Sequence, residues 1–259
     1  MLLKDKVIVI TGIGPGMGRT LARLAAREGA KLGLAARRKV FLDEVVAEIT
    51  AAGGEAVAVP TDVSDPGQCT ALAGAVSQRF GRIDGLVNSA YLHGEWATSD
   101  IATPEDFLRC YDVNCVGALR MAQACLPAMK AAGGGAIVNV STMATVRPHP
   151  GEVAYAAAKG GLNVLARHMA ADFGRFNIRV NTTRMGWIGG EPVAQYLDSE
   201  VARGRKREEV VAEITKDIAL GVIPPEEDCA RAVLFLVSDY SKMVTGTSLD
   251  VNGGHYMAP

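Results

Sequence analysis

The sequence predicts an α/β fold, a doubly wound seven-stranded parallel sheet with helices on both faces, in one domain covering residues 1–259. Three observations lead there. Short β-branched runs alternate with Ala/Leu-rich stretches of helical spacing, so strand follows helix along the chain. The runs are apolar almost throughout, as strands buried on both faces are. No Pro/Ser-rich linker, low-complexity block or internal repeat breaks the alternation, which argues for one domain rather than two.

The elements follow in order. Val7 to Thr11 reads as the first strand and Met17 to Glu28 as the first helix. A strand over Lys31 to Ala36, a helix from Phe41 to Ala52 and a strand over Ala56 to Pro60 come next. The later strands are Ile83 to Val87, Ala136 to Val140, Ile178 to Asn181 and Thr247 to Val251. Between Gly186 and Pro225 the strand periodicity lapses into helical character of mixed charge. An insertion there, after a strand's carboxyl end, sits where an α/β fold places a substrate-covering segment, although a solvated helical pair would read the same.

Composition narrows the function. Hydrophobic residues make up 49% of the chain and aromatics 5%, enough for an aliphatic core and too much for disorder. With 27 basic and 28 acidic side chains the net charge is -1, so nothing draws the chain to nucleic acid or an anionic membrane. No apolar run reaches the length of a membrane span and the start lacks a cleavage segment, so a cytoplasmic protein is expected. The five cysteines contain no C-x-x-C pair and the four histidines no metal-ligand spacing, so neither disulfides nor a metal site is expected.

The first strand runs directly into Thr11-Gly12-Ile13-Gly14-Pro15-Gly16-Met17-Gly18 and then into a helix. Glycines in that turn let backbone approach a pyrophosphate, whose charge meets free N–H groups and the positive helix end. A dinucleotide is therefore expected on Gly12, Gly14, Gly16, Met17 and Gly18. At the end of the second strand, where a carboxylate would bond a ribose, stand Ala36, Arg37 and Arg38. Arginine there would take the 2′-phosphate of NADP(H), with Arg37 the better placed; NAD(H) is the alternative if the cluster merely caps the strand. Asp62, past the third strand, would accept from an adenine amine or simply build a turn.

Tyr155 and Lys159 stand four apart in a helical stretch, which stacks them on one face. A phenol titrates near 10 and is a poor proton shuttle at neutral pH. An ammonium about 4 Å away would stabilise its anion by roughly 4 kcal/mol, lowering its pKa by about three before desolvation.

These residues together resemble the short-chain dehydrogenase/reductase family over essentially the whole chain. TGIGPGMG is similar to its T-G-x-x-x-G-x-G turn and YAAAK to its Y-x-x-x-K; Asp62-Val63, Asn114 in DVNCVG, VNVST and TGTSLDVNGG lie in the matching order. The resemblance implies a Rossmann-like sheet and NAD(P)-dependent hydride transfer. In it Tyr155 would move the proton, Lys159 would lower its pKa and bind the nicotinamide ribose, and Asn114 would support a water-linked relay. It also implies a homotetramer, packed through the carboxyl end and the helix from Glu226. The apolar run Ala232 to Val237 fits that contact or the core equally well.

The sequence departs from the family at three places. Thirteen residues before Tyr155 the family's serine is Thr142; the threonine hydroxyl would serve the same end, with Ser141, one residue early, the weaker substitute. Its N-N-A-G reads Asn88-Ser89-Ala90-Tyr91, keeping an asparagine at the cofactor and placing a phenol at the site mouth. Its P-G reads Met185-Gly186, so backbone at Gly186 and Ile188 would hold the nicotinamide amide. The expected activity interconverts a carbonyl and a secondary alcohol; the alternatives are an NAD-dependent alcohol dehydrogenase of the same fold and a non-catalytic nucleotide-binding regulator. Tyr91, His93, Trp96, His149, Glu152 and Trp187 are candidates for the pocket wall. An alcohol, a polyol, a cyclic ketone or an acyl thioester would all fit the partner, a small carbonyl or alcohol.

Overall fold

The computed structural model describes residues 1–258; Pro259, which ends the segment expected at a neighbouring subunit, lies outside the described residues. Seven parallel strands form one sheet in the order β3-β2-β1-β4-β5-β6-β7. They are β1 Val7–Thr11, β2 Lys31–Ala36, β3 Glu55–Pro60, β4 Gly85–Asn88, β5 Gly135–Thr142, β6 Ile178–Met185 and β7 Ser248–Val251. The order reverses between β1 and β4, so a crevice opens above their carboxyl ends, where doubly wound sheets bind ligands. The expected strands differ most at β4, which begins two residues later, at β5, which runs on to Thr142, and at β6, which runs four residues further, through Thr182, Thr183 and Arg184. Polar residues hid that extension from a reading based on apolar runs.

The helices are α1 Met17–Arg27, α2 Lys39–Ala51, α3 Pro66–Phe80, α4 Pro104–Tyr111, α5 Gly117–Ala131, α6 Val153–Phe173, α7 Glu191–Ala202, α8 Arg207–Thr215 and α9 Glu226–Val237. They make two layers. On one side α1, α2 and α9 bury Leu21, Leu42, Val45 and Val233 against Ile8, Ile10 and Leu34; on the other α3, α5 and α6 bury Leu72, Met121 and Met169 against Val9, Leu86 and Ile137. Alternate residues of each strand thus face opposite layers, the physical content of the apolar runs. Val233, Leu234, Leu236 and Val237 lie in this core, so of the run expected at a subunit contact Phe235 is exposed and Ala232 partly so. No helix among the described residues is long and apolar enough to cross a membrane.

The stretch between Gly186 and Pro225 carries α7 and α8, and its base is closed by a parallel bridge from Gly189 to Pro225. Trp187 packs on Tyr196 of α7 with ring centroids 5.6 Å apart. A buried Glu200, held by Arg203 and Arg205, ties the turn after α7.

Candidate active site

The glycines of the first turn divide into two kinds. A Cβ on Gly12 would come within 2.5 Å of the Ser89 carbonyl and the Ala90 nitrogen, its φ is +78°, and a Cβ on Gly18 would collide with the Gly12 carbonyl oxygen. The chain's own packing demands glycine at both. Gly14 meets nothing within 4 Å and Gly16 nothing nearer than 3.6 Å, so these two leave open a cradle at the amino end of α1. The first turn of α1 carries no acidic side chain, and Gly16 gives no side-chain cap, so its N–H groups face the cradle with the dipole's positive end. The residues present fit a bound pyrophosphate. Beside the turn, Thr11 Oγ accepts the N–H groups of Ser89 and Ala90, both at 3.2 Å, locking the loop after β4 to β1. Thr11 opens the glycine motif, yet its acceptor role depends on the β1–β4 pairing, which motif spacing does not reveal.

At the end of β2 the structure separates the two arginines. Arg38 lies 4.1 Å above the Phe41 ring, whereas Arg37 is exposed on the side of Asp62, whose carboxylate feels its charge. Neither makes a salt bridge among the described residues. Asp62 accepts the Ser64 hydroxyl at 2.7 Å and the Ser64 N–H at 2.9 Å through one oxygen; these bonds hold the carboxyl below its usual range. It therefore builds a turn and keeps its second oxygen. Val63 is buried against the site that Gly117 vacates, where a Cβ would stand 2.7 Å from the valine methyl.

The catalytic candidates converge at the carboxyl ends of β4 and β5. Tyr155 and Lys159 lie on one face of α6, as their spacing predicts. Lys159 is 2% exposed and its Nζ donates to the Val140 carbonyl at 2.7 Å, 5.9 Å from the centre of the Tyr155 ring. Burial brings this ammonium down to about 7. Burial also holds the Tyr155 phenol well above its ordinary value, reinforced by Tyr91 and Glu152 and opposed by a hydrogen bond with Thr142. The ammonium is aimed at the Val140 carbonyl, and burial is the largest influence on the phenol.

Thr142 ends β5 beside that phenol. Its Oγ accepts the Ala144 N–H at 3.2 Å and its carbonyl accepts the Thr145 hydroxyl at 2.9 Å; Asn163 of α6 donates to that hydroxyl at 3.1 Å. The turn Met143–Thr145 so fastens β5 to the helix bearing Tyr155. Ser141, paired in register with Arg184, is 2% exposed and its Oγ has no partner. Alternation along the strand separates it from Thr142 and from the phenol.

Asn114 lies in a π-helical turn, Asp112–Val116, between α4 and α5. Its Nδ2 donates to the carbonyls of Leu92 at 2.7 Å and Cys110 at 2.9 Å, and its Oδ1 accepts the Leu92 N–H at 3.1 Å. One amide hydrogen is spent on the loop after β4 and the other on α4, so any relay role left to Asn114 goes through oxygen. A small cavity lies between it, Thr11, Asn88 and Lys159, with Val63, Val113 and Leu162 completing its wall. Asn88 donates to Asn139 Oδ1 at 2.9 Å, leaving its own Oδ1 buried without a partner. Asn139, missed in the sequence, sits at the register position between Asn88 and Thr182. A buried polar row of this kind is visible only once the strands are paired.

A family model described as enoyl-(acyl carrier protein) reductase matches residues 12–256. The chain belongs to the short-chain dehydrogenase/reductase family. Levodione reductase of Leifsonia aquatica is 33% identical over 259 residues, covering 98% of this chain and 95% of that one. Cyclopentanol dehydrogenase of Comamonas testosteroni is 33% identical over 254 residues and 98% of each chain. Among solved structures, levodione reductase aligns with a TM-score of 0.89 at 31% identity, over 97% of this chain and 98% of that one. Xylitol dehydrogenase with NAD+ bound aligns with a TM-score of 0.90 at 27% identity, over 98% and 100%. As a short-chain dehydrogenase/reductase the protein is an NAD(P)-dependent oxidoreductase of seven-stranded Rossmann-like fold.

Against that family pattern the departures occupy definite places. Gly186 touches the carboxyl-terminal loop, where a Cβ would stand 2.8 Å from Asn252 Cβ, and Ile188 packs at the edge of the core. Tyr91 meets the Tyr155 ring edge-on at 6.4 Å, and His93 lies stacked between Tyr155 and Trp96. His149 stands exposed outside this group, and Trp187 packs on the inserted helix. The structure brings together four of the six expected wall residues, with Glu152 3.6 Å from His93.

Proposed function

We propose that the protein interconverts a ketone and a secondary alcohol, with NADP(H) the preferred hydride carrier. The observation that carries this reading is the convergence of Tyr155, Thr142 and Lys159 at the sheet end beside the open glycine cradle. Thr142 Oγ bonds the substrate oxygen and supports the charge developing there. Tyr155 gives a proton to that oxygen in reduction and takes it in oxidation, and Lys159 orients the cofactor beside it. The bound nicotinamide supplies or accepts the hydride at the substrate carbon. N–H groups at Gly14 and Gly16 hold the pyrophosphate, Asp62 and Val63 the adenine end, Asn88 the inner wall, and backbone at Gly186 and Ile188 the amide end. The helices α7 and α8 cover the substrate, with Trp187 against Tyr196 as the anchor.

The absence of a carboxylate at Ala36 and the exposed Arg37 beside it support NADP(H). Relatives named for cyclopentanol and for a hydroxysteroid support an alicyclic substrate, which the aromatic rings of Tyr91 and Trp96 suit. The test pairs turnover with binding. A panel of cyclic and acyclic secondary alcohols and their ketones is assayed with both cofactors, and NADPH and NADH are titrated at one ionic strength, because salt screens exposed pairs. A charge-assisted contact of roughly 1.5 to 3 kcal/mol predicts about a tenfold to hundredfold preference for NADPH, which Ala36→Asp with Arg37→Ala reverses. NADH binding as tightly or more tightly makes the enzyme NAD-dependent; failure of the whole panel favours a nucleotide-binding regulator.

A further inference from the structure

Beside the residues given roles above stands a second group of titratable side chains against Tyr155. The imidazole of His93 stacks on the Tyr155 ring, centroids 5.1 Å apart and planes at 24°, and on the Trp96 ring behind it at 4.1 Å and 25°. Both its nitrogens are buried and neither has a hydrogen-bond partner, an uncommon state for an imidazole. Its Nε2 lies 3.6 Å from Glu152 Oε1, too far for a hydrogen bond and within ion-pair range. Glu152 precedes α6 in the capping position, yet its carboxylate caps nothing and faces His93 instead.

The loop carrying His93 is held at every step. Asn114 binds both backbone groups of Leu92; Cys110 Sγ donates to the His93 carbonyl at 3.6 Å; Asp106 accepts the Glu95 N–H at 3.0 Å; and Ala97 N–H reaches the Gly151 carbonyl at 3.0 Å. Gly94, at φ +77°, packs so closely on Cys110 and Asp106 that a side chain would not fit. These tethers between Leu92 and Ala97 fix where the imidazole stands relative to the phenol.

We propose that His93 and Glu152 form a positioning pair that clamps the Tyr155 ring and governs its proton release. The inference rests on Tyr155 being the proton-transfer group. A carboxylate near a phenolate opposes its formation by like charge, and Glu152 acts on Tyr155 in that sense. The imidazole, stacked on the phenol ring and 3.6 Å from that carboxylate, holds the ring in place beside it. The charged and titratable groups facing the phenol are Tyr91 and His93 from the loop after β4, Glu152 and Lys159 from α6 and its start, with Asp106 and Arg109 of α4 behind His93.

The test is the pH dependence of kcat/KM for alcohol oxidation, with the fastest substrate of the panel, in the parent, Glu152→Gln, His93→Phe and Tyr155→Phe. A parallel ultraviolet titration of tyrosinate, using Tyr155→Phe as the blank, reads the same group without substrate. Glu152→Gln is expected to move the acidic limb and the Tyr155 titration to lower pH by at least about half a unit, because it removes a like charge that opposes the phenolate. His93→Phe keeps a ring stacked on the phenol, so its plateau stays within about threefold of the parent and its limb moves by less than about half a unit. A Glu152→Gln profile that superimposes on the parent, or a His93→Phe plateau lower than that, overturns the proposal. Near-parental turnover by Tyr155→Phe instead overturns the reading beneath it.

Discussion

At the level of single residues, the question left by the sequence is which hydroxyl polarises the substrate oxygen. Thr142 and Ser141 are neighbours in the chain, but strand alternation turns them to opposite sides of β5. Thr142 is the one beside the Tyr155 phenol, and Ser141 Oγ is enclosed in the sheet interior without a partner. Thr142→Ala is therefore expected to lower kcat by about 10² with cofactor affinity unchanged, the usual cost of one donor to a developing oxyanion. Ser141→Ala is expected to change kcat less than about threefold, since an unpartnered buried hydroxyl is removed at little cost. Steady-state kinetics of the two variants side by side check the register; a larger loss in Ser141→Ala reverses the assignment. The same residues show what spacing alone conveys. Counting thirteen back from Tyr155 reached Thr142, whereas the direction of the Lys159 ammonium, toward the Val140 carbonyl, depends on how β5 lies against α6 and has no counterpart in a one-dimensional pattern.

At the level of elements, the strands and the glycine turn were legible because burial on both faces and close backbone approach each leave a compositional trace. All five residues of β1 are buried, and its run ends where the turn begins. The extension of β6 was hidden by Thr182, Thr183 and Arg184, and the π-helical turn at Asp112–Val116 by a helical pattern continuing through it. The loop bearing His93 was unreadable for another reason: its tethers come from Asn114, Asp106, Cys110 and Gly151, none adjacent to it in sequence. The division among the glycines gives an element-scale prediction. Gly18→Ala forces a Cβ onto the Gly12 carbonyl and is expected to destabilise the fold by about 1 to 3 kcal/mol, as overpacking does. Gly14→Ala has open space and is expected to leave the denaturation midpoint unchanged while weakening cofactor binding at least about tenfold, because the methyl enters the cradle itself. Chemical denaturation and cofactor titration of both variants separate a packing glycine from a binding one; equal losses of stability remove the distinction.

The whole molecule presents two further expectations, one about its surface and one about its charge. Leu108 is 71% exposed on α4 and Val164 48% exposed on α6, while Phe235, Tyr240 and Met243 lie uncovered near α9. The family resemblance points to a homotetramer, to which these side chains would offer apolar contact, and light scattering at micromolar concentration that shows a monomer rejects it. The charge argument concerns Lys159, which the fold buries and the proposed mechanism uses. Its value falls from 10.5 in an exposed chain to about 7 in the folded protein. Over that window the unfolded chain holds a proton that the native protein has released, so stability rises with pH from about 7 toward 10.5. Below 7 both states hold the proton, and the cost of the buried ammonium stands at its full size, on the order of 5 kcal/mol before the Val140 hydrogen bond is set against it. Lys159→Met fills similar volume without charge. It is expected to abolish turnover, to raise the denaturation midpoint at pH 7 by an amount worth about 1 to 3 kcal/mol, and to flatten the rise between pH 7 and 10. Denaturation curves of the parent and of Lys159→Met across that range decide the matter: parallel dependences on pH mean that the ammonium carries no such cost, and a Lys159→Met protein less stable at every pH means that its bond to Val140 outweighs its burial.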